Sequence, residues 1–123
     1  MSYLTDRKRA TGLGSAKTGT EHFWLMKVSS VALLLLIPLF VFTFGPMLGE
    51  THENVLAYFA RPFPAIVAAL TIGVTFMHFK NGAQTMIEDY VHGTSQKMAI
   101  IFVICLSYAA AATGLFAIAR IAL

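Results

Sequence analysis

Three apolar stretches, each bounded by charged residues, organise the sequence. Between Lys27 and Glu50 lie 22 residues without Asp, Glu, Lys or Arg; between Arg61 and Lys80 lie 18, and between Lys97 and Arg120 another 22. A bilayer core about 30 Å thick takes about 20 mostly apolar helical residues, so each window predicts one crossing helix. The expected spans are about 23–47, 63–88 and 97–121. Phe23-Trp24 opens the first as an interfacial anchor, Pro38 predicts a bend within it, and Gly45-Pro46 ends it. Proline at 62 and 64 suits the first turn of the second. In the third, Ala109 to Ala112 and then Gly114 predict a small-residue surface that a neighbouring helix approaches closely. The polar remainder reads as a largely extended basic arm, residues 1–21, and a short loop or interfacial turn, residues 48–62. This gives an arm (1–21) and a three-span anchor domain (22–123).

Composition sharpens the class. Of 123 residues 57% are hydrophobic and 12% charged, against roughly 25% charged in an ordinary soluble domain. That excludes a soluble enzyme domain and a disordered tail. One cysteine, Cys105, excludes an intrachain disulfide scaffold; inside the third window it reads as a small packing residue. The net charge is +3, but the basic residues mark window ends and form no aromatic-interleaved face, so nucleic acid is not an expected partner. Residues Gly12 to Thr18 superficially resemble a phosphate loop, yet lack a glycine directly before Lys17 and a preceding strand. With the N-terminus inside, Arg7, Lys8, Arg9, Lys17, Lys27, Lys80 and Lys97 fall at cytoplasmic ends and only Arg61 and Arg120 face outward. The bias predicts a cytoplasmic N-terminus and a C-terminus on the far, periplasmic side.

The second window carries the chemistry. His78 lies about 21 Å along a helix starting near Pro64, inside the hydrocarbon, where an ionisable residue is a functional candidate. His78, Gly82, Thr85 and Asp89 are spaced i, i+4, i+7 and i+11 and share one helical stripe. Gly82 clears room one turn past the imidazole for something flat and bulky. Neutral imidazole is a good axial ligand for haem iron. Helix-packing relief at Gly82 with a histidine bonded across helices fits the same residues, and so does a proton or ion path.

His78, three residues, Gly82, six residues and then Asp89-Tyr90 resembles the signature of the hydrophobic membrane-anchor subunit of succinate dehydrogenase, respiratory complex II. The resemblance extends over most of the chain: Gly19-x-x-His22 before the first span, three spans, and the topology. It has a bacterial, alphaproteobacterial character. It implies an all-α membrane protein whose three helices join a hetero-oligomeric bundle binding haem b. His78 would be one axial ligand, and a second three-helix anchor would give the other. Tyr90 would hydrogen-bond a ubiquinone carbonyl, Asp89 would sit beside the quinone and help deliver protons, and Lys27 would contact a haem propionate. The implied partners are that second anchor, an iron-sulfur subunit and a flavoprotein that oxidises succinate, in a bacterial inner membrane. The chain would be a non-catalytic subunit of that enzyme.

Bland readings stand beside these roles. Asp89 also suits an interfacial ion pair, and Lys27 suits positive-inside anchoring. His22, His52 and His92 read as surface histidines, and Ser29 and Ser30 face either a neighbouring helix or the haem edge. Lys80 and Asn81 make the turn after His78 unusually polar, so Lys80 is expected to snorkel or to meet a propionate or an acidic partner. Two other functions remain: the anchor of a quinol:fumarate reductase, and a small transporter or assembly factor with a His78–Asp89 proton path.

Overall fold

The computed structural model describes residues 3–15 and 19–123, and all of its regular elements are helices. Ala16, Lys17 and Thr18, the end of the phosphate-loop-like stretch, lie outside the described residues. The helices are α1 (Asp6–Thr11), α2 (Glu21–Phe44), α3 (His52–Phe59), α4 (Pro62–Tyr90) and α5 (Thr94–Ala122), with a 3-10 turn Gly45–Met47 continuing α2. α2 with its 3-10 turn, α4 and α5 are long and apolar enough to cross a membrane, at 27, 29 and 29 residues. Each 29-residue helix is about 44 Å long, so its ends project beyond the hydrocarbon.

Two helices stand where extended chain or a turn was expected. α1 interrupts the arm, and Thr5 caps it by accepting from the Lys8 amide at 3.3 Å. α3 fills most of the loop between the first two spans, capped likewise by Thr51 from the Asn54 amide at 3.3 Å. A threonine oxygen that satisfies an unpaired first-turn amide favours a helix start at that point. Pro38 lies inside α2, which continues through it to Phe44.

α4 is the shared element: α2 packs on one side of it and α5 on another, while α3 touches both α4 and α5. The turn between α4 and α5 is short because Gly93 takes φ +72° and ψ −147°, a conformation that L side chains resist. Small residues line the seams. A Cβ on Gly114 would come within 2.9 Å of the Ile72 Cγ2, so α4 and α5 close to this distance only with glycine there. Ala65, Ala68, Ser29 and Ser107 are also buried. This is membrane-type packing, in which small side chains let backbones approach. Cys105 is exposed on α5 and packs no seam of this chain, a departure from its expected role.

Little else is covered. The chain exposes 9368 Å², where a soluble monomer of 13.4 kDa would expose about 6,500 Å². Large apolar side chains such as Leu34, Leu35, Phe42, Phe102 and Phe116 stand outward on the long helices. That surface suits lipid or other helices as its surroundings, since water would penalise it.

Candidate functional site

His78 sits on α4, sixteen positions after Pro62, about 24 Å from the start of the helix and about 18 Å from its end at Tyr90. Its Nδ1 is 2.8 Å from the Oγ of Ser29 on α2. Among the described residues no partner bonds Nε2. The ring lines an open groove of about 410 Å³ whose other walls come from α2: Ser30, Leu33, Leu34, Ile37 and Pro38. An imidazole that lines an apolar groove, with one nitrogen tied to a neighbouring helix and the other still free to bond, can serve a metal or a further hydrogen bond.

The two serines left open by the sequence take different sides. Ser29, 1% exposed, faces α4 and meets His78, whereas Ser30 lines the groove. Lys27 is exposed, one turn from Ser30, its Nζ 5.4 Å from the centre of the Phe23 ring. The three-residue spacing to Ser30 places Lys27 near the groove's end closer to the N-terminus of α2.

Gly82 faces α2. A Cβ there would lie 3.6 Å from the Cε of Met26, an ordinary contact. The gap on the histidine stripe is therefore occupied, within this chain, by the end of an unbranched and pliable side chain. Asp89 and Tyr90 stand exposed in the last turn of α4, Tyr90 at 81%. Neither has a hydrogen-bond partner or ion pair among the described residues. Glu88 beside them is held, its carboxylate accepting from the Gln84 amide at 2.8 Å and its carbonyl from the Gln96 amide at 3.2 Å. No basic residue lies in that turn, so two carboxylates face the negative end of the helix dipole, which costs about 0.3 kcal/mol or more. Asp89 is about 16 Å from His78 along α4, so the two are not in contact.

Lys80 does not join the histidine. Two residues along a helix turn the side chain by about 200°, and its Nζ is 5.6 Å from the centre of the Tyr108 ring on α5. Within this chain the ammonium meets that aromatic face. Asn81, 2% exposed, leaves its Nδ2 buried without a partner among the described residues. His22 departs from a surface histidine: its Nε2 is shut from solvent and unpartnered among the described residues. His52 and His92 are exposed. Ser29 was legible only as a choice between two faces, and Met26 gave no signal, because contacts between α2 and α4 depend on helix rotation.

The fold and site define a three-span membrane subunit, largely uncovered, that presents a single histidine from within its apolar region. Among the described residues no three His, Cys, Asp or Glu side chains converge as an ion site. The family model for the succinate dehydrogenase/fumarate reductase transmembrane subunit matches residues 1–116; the chain belongs to this family. It is 47% identical over 123 residues, all of this chain and 95% of the relative, to the succinate dehydrogenase hydrophobic membrane anchor subunit of Paracoccus denitrificans. Identity is 29% over 91 residues, 72% of this chain and 76% of the relative, with the succinate dehydrogenase membrane anchor subunit of Reclinomonas americana. With the corresponding hydrophobic membrane anchor subunit of Rickettsia conorii it is 26% over 97 residues, 78% of this chain and 77% of the relative. No solved structure matches significantly. The resemblance drawn from His78 to Tyr90 and the three-span all-α class thus hold. A small transporter finds no support among these relatives.

Proposed function

We propose that this chain is the hydrophobic anchor of a bacterial succinate:ubiquinone oxidoreductase, giving one axial ligand to haem b and part of the ubiquinone-reduction site. The observation that carries the reading is His78, its Nδ1 bonded to Ser29, its ring lining an apolar groove and its Nε2 without a partner among the described residues. The residues fit a haem. One imidazole nitrogen has no partner among the described residues, and apart from Ser30 the α2 walls beside the ring are aliphatic, so His78 would hold the iron of a haem seated there. The haem, when bound, supplies a one-electron redox centre in the membrane.

The remaining roles follow from position. Lys27, near one end of the groove, offers a cation to a propionate. Gly82 keeps the turn next to His78 free of a side chain, and Met26 is flexible enough to yield to a flat ring. Tyr90 donates its phenolic hydrogen to a quinone carbonyl at the cytoplasmic end of α4, a bond that strengthens as that oxygen gains negative charge. Asp89, next to it and open to solvent, hands on protons that the reduced quinone takes up. A single chain offers one histidine and one side of a quinone site. The working unit therefore includes a second three-helix anchor with the other histidine, an iron-sulfur subunit and a flavoprotein. The full-length similarity to a succinate dehydrogenase anchor supports succinate oxidation over the fumarate-reducing direction. The basic residues favour a cytoplasmic N-terminus in the inner membrane.

The test is a spectrum. The gently solubilised complex is expected to show a Soret band and bis-histidine absorption, and His78→Ala to lower the haem content severalfold. An unchanged bis-histidine spectrum in that variant would remove the ligand assignment.

A further inference from the structure

Most hydroxyls on the spanning helices close on their own helix. Ser30, Thr43, Thr71, Thr85, Ser107 and Thr113 each donate to the carbonyl four residues back, at 2.7–3.1 Å. This is the usual way for a hydroxyl to satisfy itself in hydrocarbon. Ser29 does this too, with its Oγ 2.7 Å from the Leu25 carbonyl and 3.1 Å from that of Met26. Unlike those six, it also meets a side chain on another helix, the Nδ1 of His78 at 2.8 Å.

A serine has one proton and two lone pairs. Two oxygens 2.7 Å apart repel unless a hydrogen lies between them, so the serine proton goes to the Leu25 carbonyl. The bond to His78 must then run the other way: Nδ1–H donates and the serine oxygen accepts. That assignment leaves neutral His78 as the Nδ1–H tautomer, with the lone pair on Nε2. Ser29 is 1% exposed, so no water competes for the bond.

We propose that Ser29 is the positioning residue for His78, holding it in the tautomer and ring orientation that coordinate iron through Nε2. The proposal rests on the reading of His78 as the haem ligand. An acceptor on the far nitrogen does three things to a ligating imidazole: it selects the tautomer, fixes the ring plane and increases the basicity of the coordinating nitrogen. Ser29 is itself held by its bond to Leu25, so the acceptor is in place before haem arrives. Because α2 carries Ser29 and α4 carries His78, correct seating of these two helices makes the ligand competent.

The experiment uses the assembled complex with Ser29→Ala, Ser29→Cys and Ser29→Thr. Cysteine keeps the volume but accepts hydrogen bonds poorly, whereas threonine keeps the hydroxyl. Readouts are the haem-to-flavin ratio, the ferric low-spin EPR signal, the haem midpoint potential and the rate of haem loss to an apo-haemoprotein acceptor. In the Ala and Cys variants the potential is expected to move upward, because a less basic imidazole stabilises ferric iron less. Their EPR signal is expected to shift, and haem to be lost about tenfold faster, the low end for outer-sphere partners. Threonine is expected to restore all three. Wild-type potential and EPR in both Ala and Cys would overturn the proposal, and so would equal haem loss in all three variants, which marks packing alone. His78→Ala run in parallel separates the two readings: haem lost there with silent Ser29 variants removes only the positioning role. A bis-histidine spectrum surviving His78→Ala removes the ligand reading itself.

Discussion

Tyr90 and Lys27 act, on this reading, through one polar atom each, and single substitutions isolate those atoms. Tyr90→Phe deletes a hydroxyl from an 81% exposed ring, so folding is spared. Quinone reduction by the complex is expected to fall about tenfold or more, the scale of one lost charge-stabilising donor, with succinate oxidation by an artificial dye unchanged. Equal loss of both activities would assign Tyr90 to assembly. Lys27→Met keeps the aliphatic stem and removes the charge. It is expected to move the haem potential downward, since a cation beside a propionate favours the reduced centre; an unmoved potential would leave Lys27 as an anchor only. At this scale the sequence exposed what is chemically unusual. A histidine within an apolar span stands out because hydrocarbon penalises it, and Asp89 and Tyr90 stood out by their spacing from it. Ser29 did not stand out, since a serine satisfied by its own helix is commonplace there.

At the scale of elements, the seam between α4 and α5 is set by Gly114 against Ile72. Gly114→Val is expected to push the helices apart and to lower the thermal midpoint of the solubilised complex by several degrees, as overpacking costs about 1–3 kcal/mol. Haem absorption at the remaining complex should be kept, because His78 bonds to α2 and not to α5. A variant as stable as the parent would show that α5 is seated by other contacts. The three long helices were legible because apolar length is a strong signal. The two short ones, α1 and α3, were missed although their threonine caps were visible, since a one-residue cap is weak evidence for a helix of only a turn or two. The position of Cys105 was missed for a related reason. Apolar content does not say which face of a membrane helix packs, because lipid and protein accept the same side chains.

As a whole molecule the chain leaves most of its apolar surface uncovered and presents one histidine from within its apolar spans. Expressed without its partners, it is expected to be colourless or weakly haem-loaded and prone to proteolysis, and co-expression should restore the Soret band. A stable, fully loaded single chain would contradict the need for a second axial ligand. Orientation is checked by introducing a cysteine at Lys8 or at Ala122 in a Cys105→Ala background. An impermeant thiol reagent added to intact cells is expected to label position 122 and spare position 8.

The sequence by itself determined the number of spans, the membrane as solvent and the presence of an ionisable group within it. These depend on composition along one dimension and on the cost of polarity in hydrocarbon. Tertiary structure decided what meets what: Ser29 on His78, Met26 beside Gly82, and Lys80 turned to Tyr108. Those pairings depend on how far each helix rotates and slides against its neighbour. In a membrane, where the hydrophobic effect does not choose an inward face, small residues and single hydrogen bonds make that choice.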